Sequence, residues 1–326
     1  MRANPHDSPN TVALDVIGDV HGEYTMLVRL LTTLGYQPDS ESSENRNGAP
    51  IWSHPVRKAV FLGDLIDRGA ESPQVLTLVR NMVEAGKAWS ITGNHEFNAV
   101  GHNTPDGLGG WLRPRTPLKI GPHQSTIDQF ASASEEWASH LEWFKSLPTT
   151  LDFGGLRIVH AAWHPESVKS LGKVGFWTNE NLFSAYRDPE FTTARELVFN
   201  GPEVELPPGG HFYDHSRRRR TAVRIAWWET GGQNQWNNIV FPKGDPLSGL
   251  DSASSVPTPT AFYTADQPPV IFGHYALPRD APAVQAPNVA CIDFGCGKGG
   301  ALGAYRWDGE TVLDEGKVVR VYAENR

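Results

Sequence analysis

The chain has 326 residues, 39% hydrophobic and 20% charged, a composition that supports a buried core and excludes a disordered or fibrous chain. Its formal net charge of −8 leaves no overall basic field, so extensive nucleic-acid binding is not expected, although a local basic patch is compatible with it. With only Cys291 and Cys296 present, no disulfide framework or thiolate metal site is expected. MRANPHDSPN has no signal-like apolar core and no run reaches a membrane span, so the expectation is a cytoplasmic protein without a membrane partner.

Apolar runs ending in glycine or a polar turn predict strands. The first is VALDVI (12–17), followed by a predicted helix in EYTMLVRLLTTLG, with Leu27, Leu30, Leu31 and Leu34 at helical spacing and Gly35 as its stop. SESSENRNGAP (40–50) reads as a polar loop or hairpin insertion. KAVFL (58–62) is the next strand, then a helix in SPQVLTLVRNMVEAG with Ser72 as N-cap and Gly86 as stop, then AWSIT (88–92). LRIVH (156–160), PPVIFG (268–273) and NVACIDF (288–294) complete the strands, and their alternation with helices predicts α/β. Between about 165 and 265 the texture changes to LPPGG, SRRRR, AWWE and GLDSASSVPTPT, so the chain reads as a single domain, 1–326, with an inserted lid.

Polar residues gather where these strands end. Asp19 and His21 stand in GDVHG, Asp64, Asp67 and Arg68 in GDLIDRG, Asn94 and His95 in GNHE, and His160 and His274 close two later strands. Singly, each has an ordinary reading: Asp64 or Asp67 as a helix cap, Asn94 as a turn residue, His160 or His274 as a satisfied core histidine. Together, Asp19, His21, Asp64, Asn94, His160 and His274 form a sulfur-free set of oxygen and nitrogen donors sufficient for two divalent ions sharing one carboxylate. Extended backbone through Asp19 and His21 places both side chains on one side, with Gly18 and Gly22 permitting a tight turn.

GDVHG, GDLIDRG, GNHE, the strand-closing histidine and GHY, in this order, resemble the calcineurin-like metallophosphoesterases, in the branch of phosphoprotein phosphatases, PrpE-type phosphatases and symmetrical diadenosine tetraphosphatases. The likeness runs from about 12 to 163 and resumes at 268, where CIDFGCGKGGALGAYRW resembles the closing segment of the tetraphosphatases; the middle third is unmatched. It implies a central β-sandwich flanked by helices in four αββα layers. It also implies Asp19, His21 and His274 at a first metal, Asn94 and His160 at a second, and Asp64 bridging. The same resemblance makes His95 the general acid, Asp67 its hydrogen-bond partner, and Arg68 and Asn94 contacts for the phosphoryl group. Arg224, with Arg220 behind it, is the candidate for a second phosphate-binding arginine.

The activity implied is phosphoester hydrolysis by in-line attack of a metal-bridging hydroxide, with Mn²⁺ expected and Fe, Zn²⁺, Co²⁺ and Ni²⁺ also suited to these donors. A phosphomonoester or a nucleotide polyphosphate such as diadenosine tetraphosphate is the expected substrate, a phosphoprotein the alternative, and a non-catalytic scaffold a third reading. Arg217–Arg220 reads as either a substrate-guiding patch or a solvated loop. Trp163 and His164 read as leaving-group contacts or as a core ring and a turn residue. Trp227, Trp228 and Trp236 read as a base-stacking platform or the lid's own small core, and both cysteines as buried thiols.

Overall fold

The run ALDVI becomes β1 (Ala13–Ile17), in which Leu14, Val16 and Ile17 are buried and the buried Asp15 is held by Arg57 at 2.8 Å and Arg306 at 3.1 Å. This computed structural model describes residues 13–39, 49–173, 175–213, 219–228, 236–241, 247–250 and 262–323. After β1 the chain enters α1 (Tyr24–Leu34), which buries Leu27, Leu30, Leu31 and Leu34 along one face. Gly35 closes it at φ +94°, a left-handed conformation that glycine adopts without the cost a Cβ imposes.

Next come β2 (Arg57–Phe61), parallel to β1, then α2 (Ser72–Glu84) and β3 (Ala88–Ser90), parallel to β2. Glu71 occupies the cap position of α2, not Ser72. Ser72 is already helical, its N–H donating to Gln129 Oε1 at 2.7 Å and its hydroxyl lying 3.4 Å from Thr126 Oγ1. Likewise Ala85 ends the helix, and Gly86 follows at φ +68°. Of the segment 40–50, residues 40–48 lie outside the described residues; its flanks Gln37–Asp39 and Ile51–Ser53 pair as antiparallel strands.

The helices α3 (Asn94–Asn103), α4 (Gln124–Gln129) and α5 (Ser134–Ser146) lead to the antiparallel pair β4 (Thr150–Asp152) and β5 (Arg157–Val159). Then α6 (Pro165–Gly172), α7 (Asn179–Arg187) and α8 (Pro189–Asn200) pack together and bury Leu171, Leu182, Val198 and Phe199 in the main core. A second, smaller core of Leu206, Val223, Ile225, Trp236 and Ile239 surrounds the pair β6 (Glu203–Glu205) and β7 (Ala222–Arg224). The chain returns through β8 (Val270–Phe272), β9 (Val284–Ala286), β10 (Val289–Cys291), β11 (Asp293–Phe294), β12 (Ala301–Trp307) and β13 (Val318–Tyr322).

Two mixed sheets result. One runs β11–β12–β1–β2–β3 with β13 also paired to β12; the other runs β9–β10–β8–β5–β4. A single buried cluster joins them, taking Val16, Val60 and Phe61 from the first and Ile158, Ile271 and Val289 from the second. This is the α/β metallophosphatase-like arrangement of sheets flanked by helices that the motifs implied. No helix among the described residues is long and apolar enough to cross a membrane.

Candidate metal centre

Asp64 stands at the centre of the expected donors. Its Oδ2 lies 3.6 Å from His21 Nε2 and its Oδ1 lies 3.4 Å from His160 Nε2, so one carboxylate faces imidazoles brought from the two different sheets. The His21 ring donates from Nδ1 to the Ile66 carbonyl at 3.0 Å, and His160 from Nδ1 to the Leu62 carbonyl at 2.8 Å. These bonds fix the tautomers with Nε2 turned inward. Asn94 Oδ1 lies 2.9 Å from both His160 Nε2 and His274 Nδ1.

Two of the sequence expectations change in detail. His274 was grouped with Asp19 and His21, but its ring faces Asn94 and His160, and only its backbone N–H reaches Asp19 Oδ2, at 3.0 Å. Nor does extended backbone run on through His21: it follows the end of β1 and has φ +49°, its N–H turning back to the Asp64 carbonyl at 2.8 Å. Gly22 continues the turn at φ +66°, and a Cβ on Gly18 would stand 2.3 Å from the Ile292 carbonyl oxygen, so both glycines are required by close approach.

Backbone strain marks the same loops. The non-glycine residues at positive φ among the described residues are His21, Asp64, Asp67, Arg68, His274 and Ala276. Such conformations cost of order 1–3 kcal/mol each and persist where surrounding contacts over-determine them. Glu96 is one source of that constraint. Wholly buried, its carboxylate accepts N–H groups from Gly93 at 3.0 Å and from Asp64 and Leu65 at 2.8 Å, tying the loop after β2 to the start of α3. Burial and the nearby Asp64 push Glu96 up to about 7.

The donors fit divalent cations. Asp19 Oδ1 and His274 Nε2 are buried with no hydrogen-bond partner, and burial, with Asp293 nearby, raises the Asp19 pKa well above the usual carboxylate range. Burial pushes His21 down to about 3, Arg68 adding to the shift, and lowers His274 as well, so both imidazoles are neutral, the form that binds a metal. Burial also opposes charge at Asp64 and His160, but their mutual attraction prevails, holding Asp64 ionised and lifting His160 to about 10. The ligand atoms form two groups, His21–Asp64–His95 and Asp64–His160–His274, each with its atoms within 4.8 Å of one another.

Beside them lies a proton-carrying pair. His95 Nδ1 is 2.5 Å from Asp67 Oδ2, and its Nε2 is 3.7 Å from Asp64 Oδ2. Burial works against the imidazolium, yet Asp64 and Asp67 outweigh it and raise the His95 pKa. Asp67 has partners that the motifs did not reveal: His123 Nδ1 at 2.6 Å from Oδ1, and the Thr126 hydroxyl donating to the same oxygen at 2.6 Å.

Arg68 is exposed at the mouth of a groove of about 930 Å³ that also takes in Arg220, Arg224, Arg279 and Lys298, with Glu203 as its only carboxylate among the described residues. The structure therefore brings Arg224 and Arg220 to the same groove as Arg68. Arg217 and Arg218 lie outside the described residues, while Arg219–Arg220 pairs with Phe212–Tyr213. Trp163 is buried under Arg157, and His164 caps α6 through its side chain and Ser167, so the pair is a core ring and a turn residue. Trp227 and Trp228 are buried in the main core, Trp227 stacked on Phe262 at 5.7 Å, and only Trp236 joins the smaller core. None offers a base an open face: they are 0%, 7% and 5% exposed. Cys291 and Cys296 are buried thiols.

The calcineurin-like phosphoesterase family matches residues 13–275. The chain belongs to that family. Over 165 residues it is 41% identical to the asymmetrical bis(5'-nucleosyl)-tetraphosphatase PrpE of Halalkalibacterium halodurans, covering 49% of this chain and 61% of that protein, less than two thirds of the relative's length. It is 26% identical over 316 residues to a symmetrical bis(5'-nucleosyl)-tetraphosphatase of Bordetella pertussis, covering 94% of each. A solved protein serine/threonine phosphatase from Saccharomyces cerevisiae, with similarity to human phosphatase PP5, shares the fold at a TM-score of 0.50 and 13% identity, over 98% of this chain and 82% of that one. In this calcineurin-like chain the strand-end motifs supply the donors, and Glu96, His123 and Thr126 supply the brace around them.

Proposed function

We propose that the chain is a cytoplasmic, dinuclear-metal-dependent phosphoester hydrolase acting on a phosphomonoester or a nucleotide polyphosphate such as diadenosine tetraphosphate. The observation that carries this reading is the Asp64 carboxylate, one oxygen toward His21 and the other toward His160, with the His95–Asp67 pair alongside. Asp19, His21 and Asp64 would hold one ion, and Asp64, Asn94, His160 and His274 the other, with Mn²⁺ the expected metal. Such a pair supplies an activated water and polarises the phosphoryl group.

The chain's own residues do the rest. Arg68 presents a planar fork to the phosphoryl oxygens. His95, kept protonated by Asp64 and Asp67, gives its Nε2 proton to the departing oxygen, while Asp67 holds Nδ1–H and so fixes the ring. With Mn²⁺ the protein should hydrolyse p-nitrophenyl phosphate, and His95→Asn should lose about 10²–10⁴ in kcat while keeping its metal. Full activity in that variant would overturn the general-acid role. Two ADP released from diadenosine tetraphosphate would fix the nucleotide reading, whereas phosphate released from a phosphopeptide alone would make the chain a protein phosphatase.

A further inference from the structure

We infer that Asp293 is a positioning residue of the candidate metal centre: its carboxylate holds the backbone beyond His274 in the strained turn that aims the imidazole at Asn94 and His160. The role rests on the dinuclear reading above, since it bears on function only where His274 holds an ion.

The turn at His274 needs outside support. Its φ is +70°, and the Tyr275 N–H reaches back to the Gly273 carbonyl at 2.9 Å, closing a three-residue turn of the rare, strained hand. Ala276, two residues on, is also at positive φ, +50°. Non-glycine residues keep such conformations only where their surroundings over-determine them. Ahead of the turn, Gly273 is fixed: its N–H donates to the His160 carbonyl at 2.9 Å, and a Cβ there would stand 2.1 Å from Asp19 Oδ1. The Tyr275 ring, buried against Phe241 and Phe272, adds an apolar anchor.

Beyond the turn, the polar hold comes from Asp293, which is buried at the start of β11. The Ile292 N–H before it still donates to the Phe272 carbonyl at 2.9 Å, so Asp293 arrives beside the loop that leaves β8. Its Oδ2 accepts the Ala276 N–H at 2.6 Å, and its carbonyl accepts the Leu277 N–H at 2.8 Å. The other carboxylate oxygen accepts the Gly295 N–H at 2.9 Å, a local turn that fixes the side chain. With both oxygens engaged, the carboxylate ties the His274 loop to the segment that follows β11. Asp293 also stands close enough to Asp19 and Lys298 to act on their charges, so a test must separate holding the turn from simply adding a negative charge.

The test titrates the metal-stripped full chain with Mn²⁺ by calorimetry, and the wild type should take up two ions. Asp293→Asn keeps the shape, and its one side-chain oxygen can still accept from Gly295, which leaves the amide N–H₂ facing the Ala276 N–H, donor to donor. This variant should bind one ion at least about tenfold more weakly and the other within about twofold of wild type. Glu315→Ala removes a carboxylate that likewise accepts two backbone N–H groups, from Ala283 at 2.8 Å and Val284 at 2.9 Å, and it should leave both ions unchanged. His274→Ala should keep one ion, and adding Asp293→Asn should not weaken that ion further, whereas loss of a charge alone would. Unchanged binding in Asp293→Asn, an equal loss in Glu315→Ala, or a further loss in the double variant would each overturn the positioning role. Two ions bound without turnover of p-nitrophenyl phosphate would sink the hydrolase reading instead, and the titrations would still decide the role of Asp293. Fewer than two ions in the wild type would sink the dinuclear reading and this role with it.

Discussion

His123 Nδ1 lies 2.6 Å from Asp67 Oδ1, so the carboxylate that orients His95 through its other oxygen is itself held by a second imidazole. Thr126 adds a third hold, its hydroxyl donating to the same Oδ1 at 2.6 Å. Removing the ring in His123→Ala should loosen Asp67 without touching a metal donor. We expect kcat to fall about fivefold, with KM and metal content unchanged. A change confined to KM, or loss of metal, would show that His123 acts elsewhere.

The pH profile should report the same carboxylate. His95 is held above its ordinary value, so its acid form persists to higher pH than that of a free imidazole and the rate falls as pH rises through that raised value. Asp67→Asn removes one of the raising interactions, and the descending limb should move to lower pH. An unmoved limb would mean that another group titrates there.

Glu96→Ala should cost stability. Three backbone N–H groups held at 3.0 Å or closer, from Gly93, Asp64 and Leu65, lose their acceptor in a buried place, as does the more distant Ile66 N–H at 3.4 Å. At about 1 kcal/mol each, the loss is roughly 3 kcal/mol, read as a lower urea midpoint at unchanged slope. Glu96→Gln keeps an acceptor oxygen and should lose less. A cost under about 1 kcal/mol in the alanine variant would contradict the bracing role.

Metal removal should loosen the joint between the sheets. Asp64 follows a strand of one sheet and His160 and His274 follow strands of the other, so a cation held by these three would clamp the sheets together. Chelation should lower Tm, and Mn²⁺ restored to 100 times its Kd should recover about 2.7 kcal/mol per site. Asp64→Asn should abolish most of that recovery. A Tm indifferent to chelation would argue against the clamp.

The donors were legible because each sits where a predictable apolar strand runs out into a short polar motif. Asp64, Asn94 and His160 needed only local pattern to be found. What the motifs could not show was how the loops turn. The grouping of His274 depends on a positive φ, and the turn at His21 on a hydrogen bond to the Asp64 carbonyl, 43 residues along the sequence. His123 and Thr126 meet Asp67 across 56 and 59 residues from a short irregular and helical stretch that carries no periodic signal. Glu96 was visible within GNHE, but its role lies in amides of another loop. Ser72 looked like a cap because its type favours one, yet Thr126 and Gln129 had already claimed its polar groups.

The handover from β10 to β11 at Ile292 carries a consequence for the growing polypeptide. Its carbonyl backs onto Gly18, and the strand that lies against β1, pairing Leu14 with Trp307, arrives almost three hundred residues after β1 is made. At about 5–20 residues per second of synthesis, the Asp19–His21 turn waits on the order of fifteen seconds or more for the wall that shapes it. A ribosome-bound chain thus exposes Asp19 and His21 long before the proposed centre can close around them, and the proposed hydrolytic competence should appear only with the last strands.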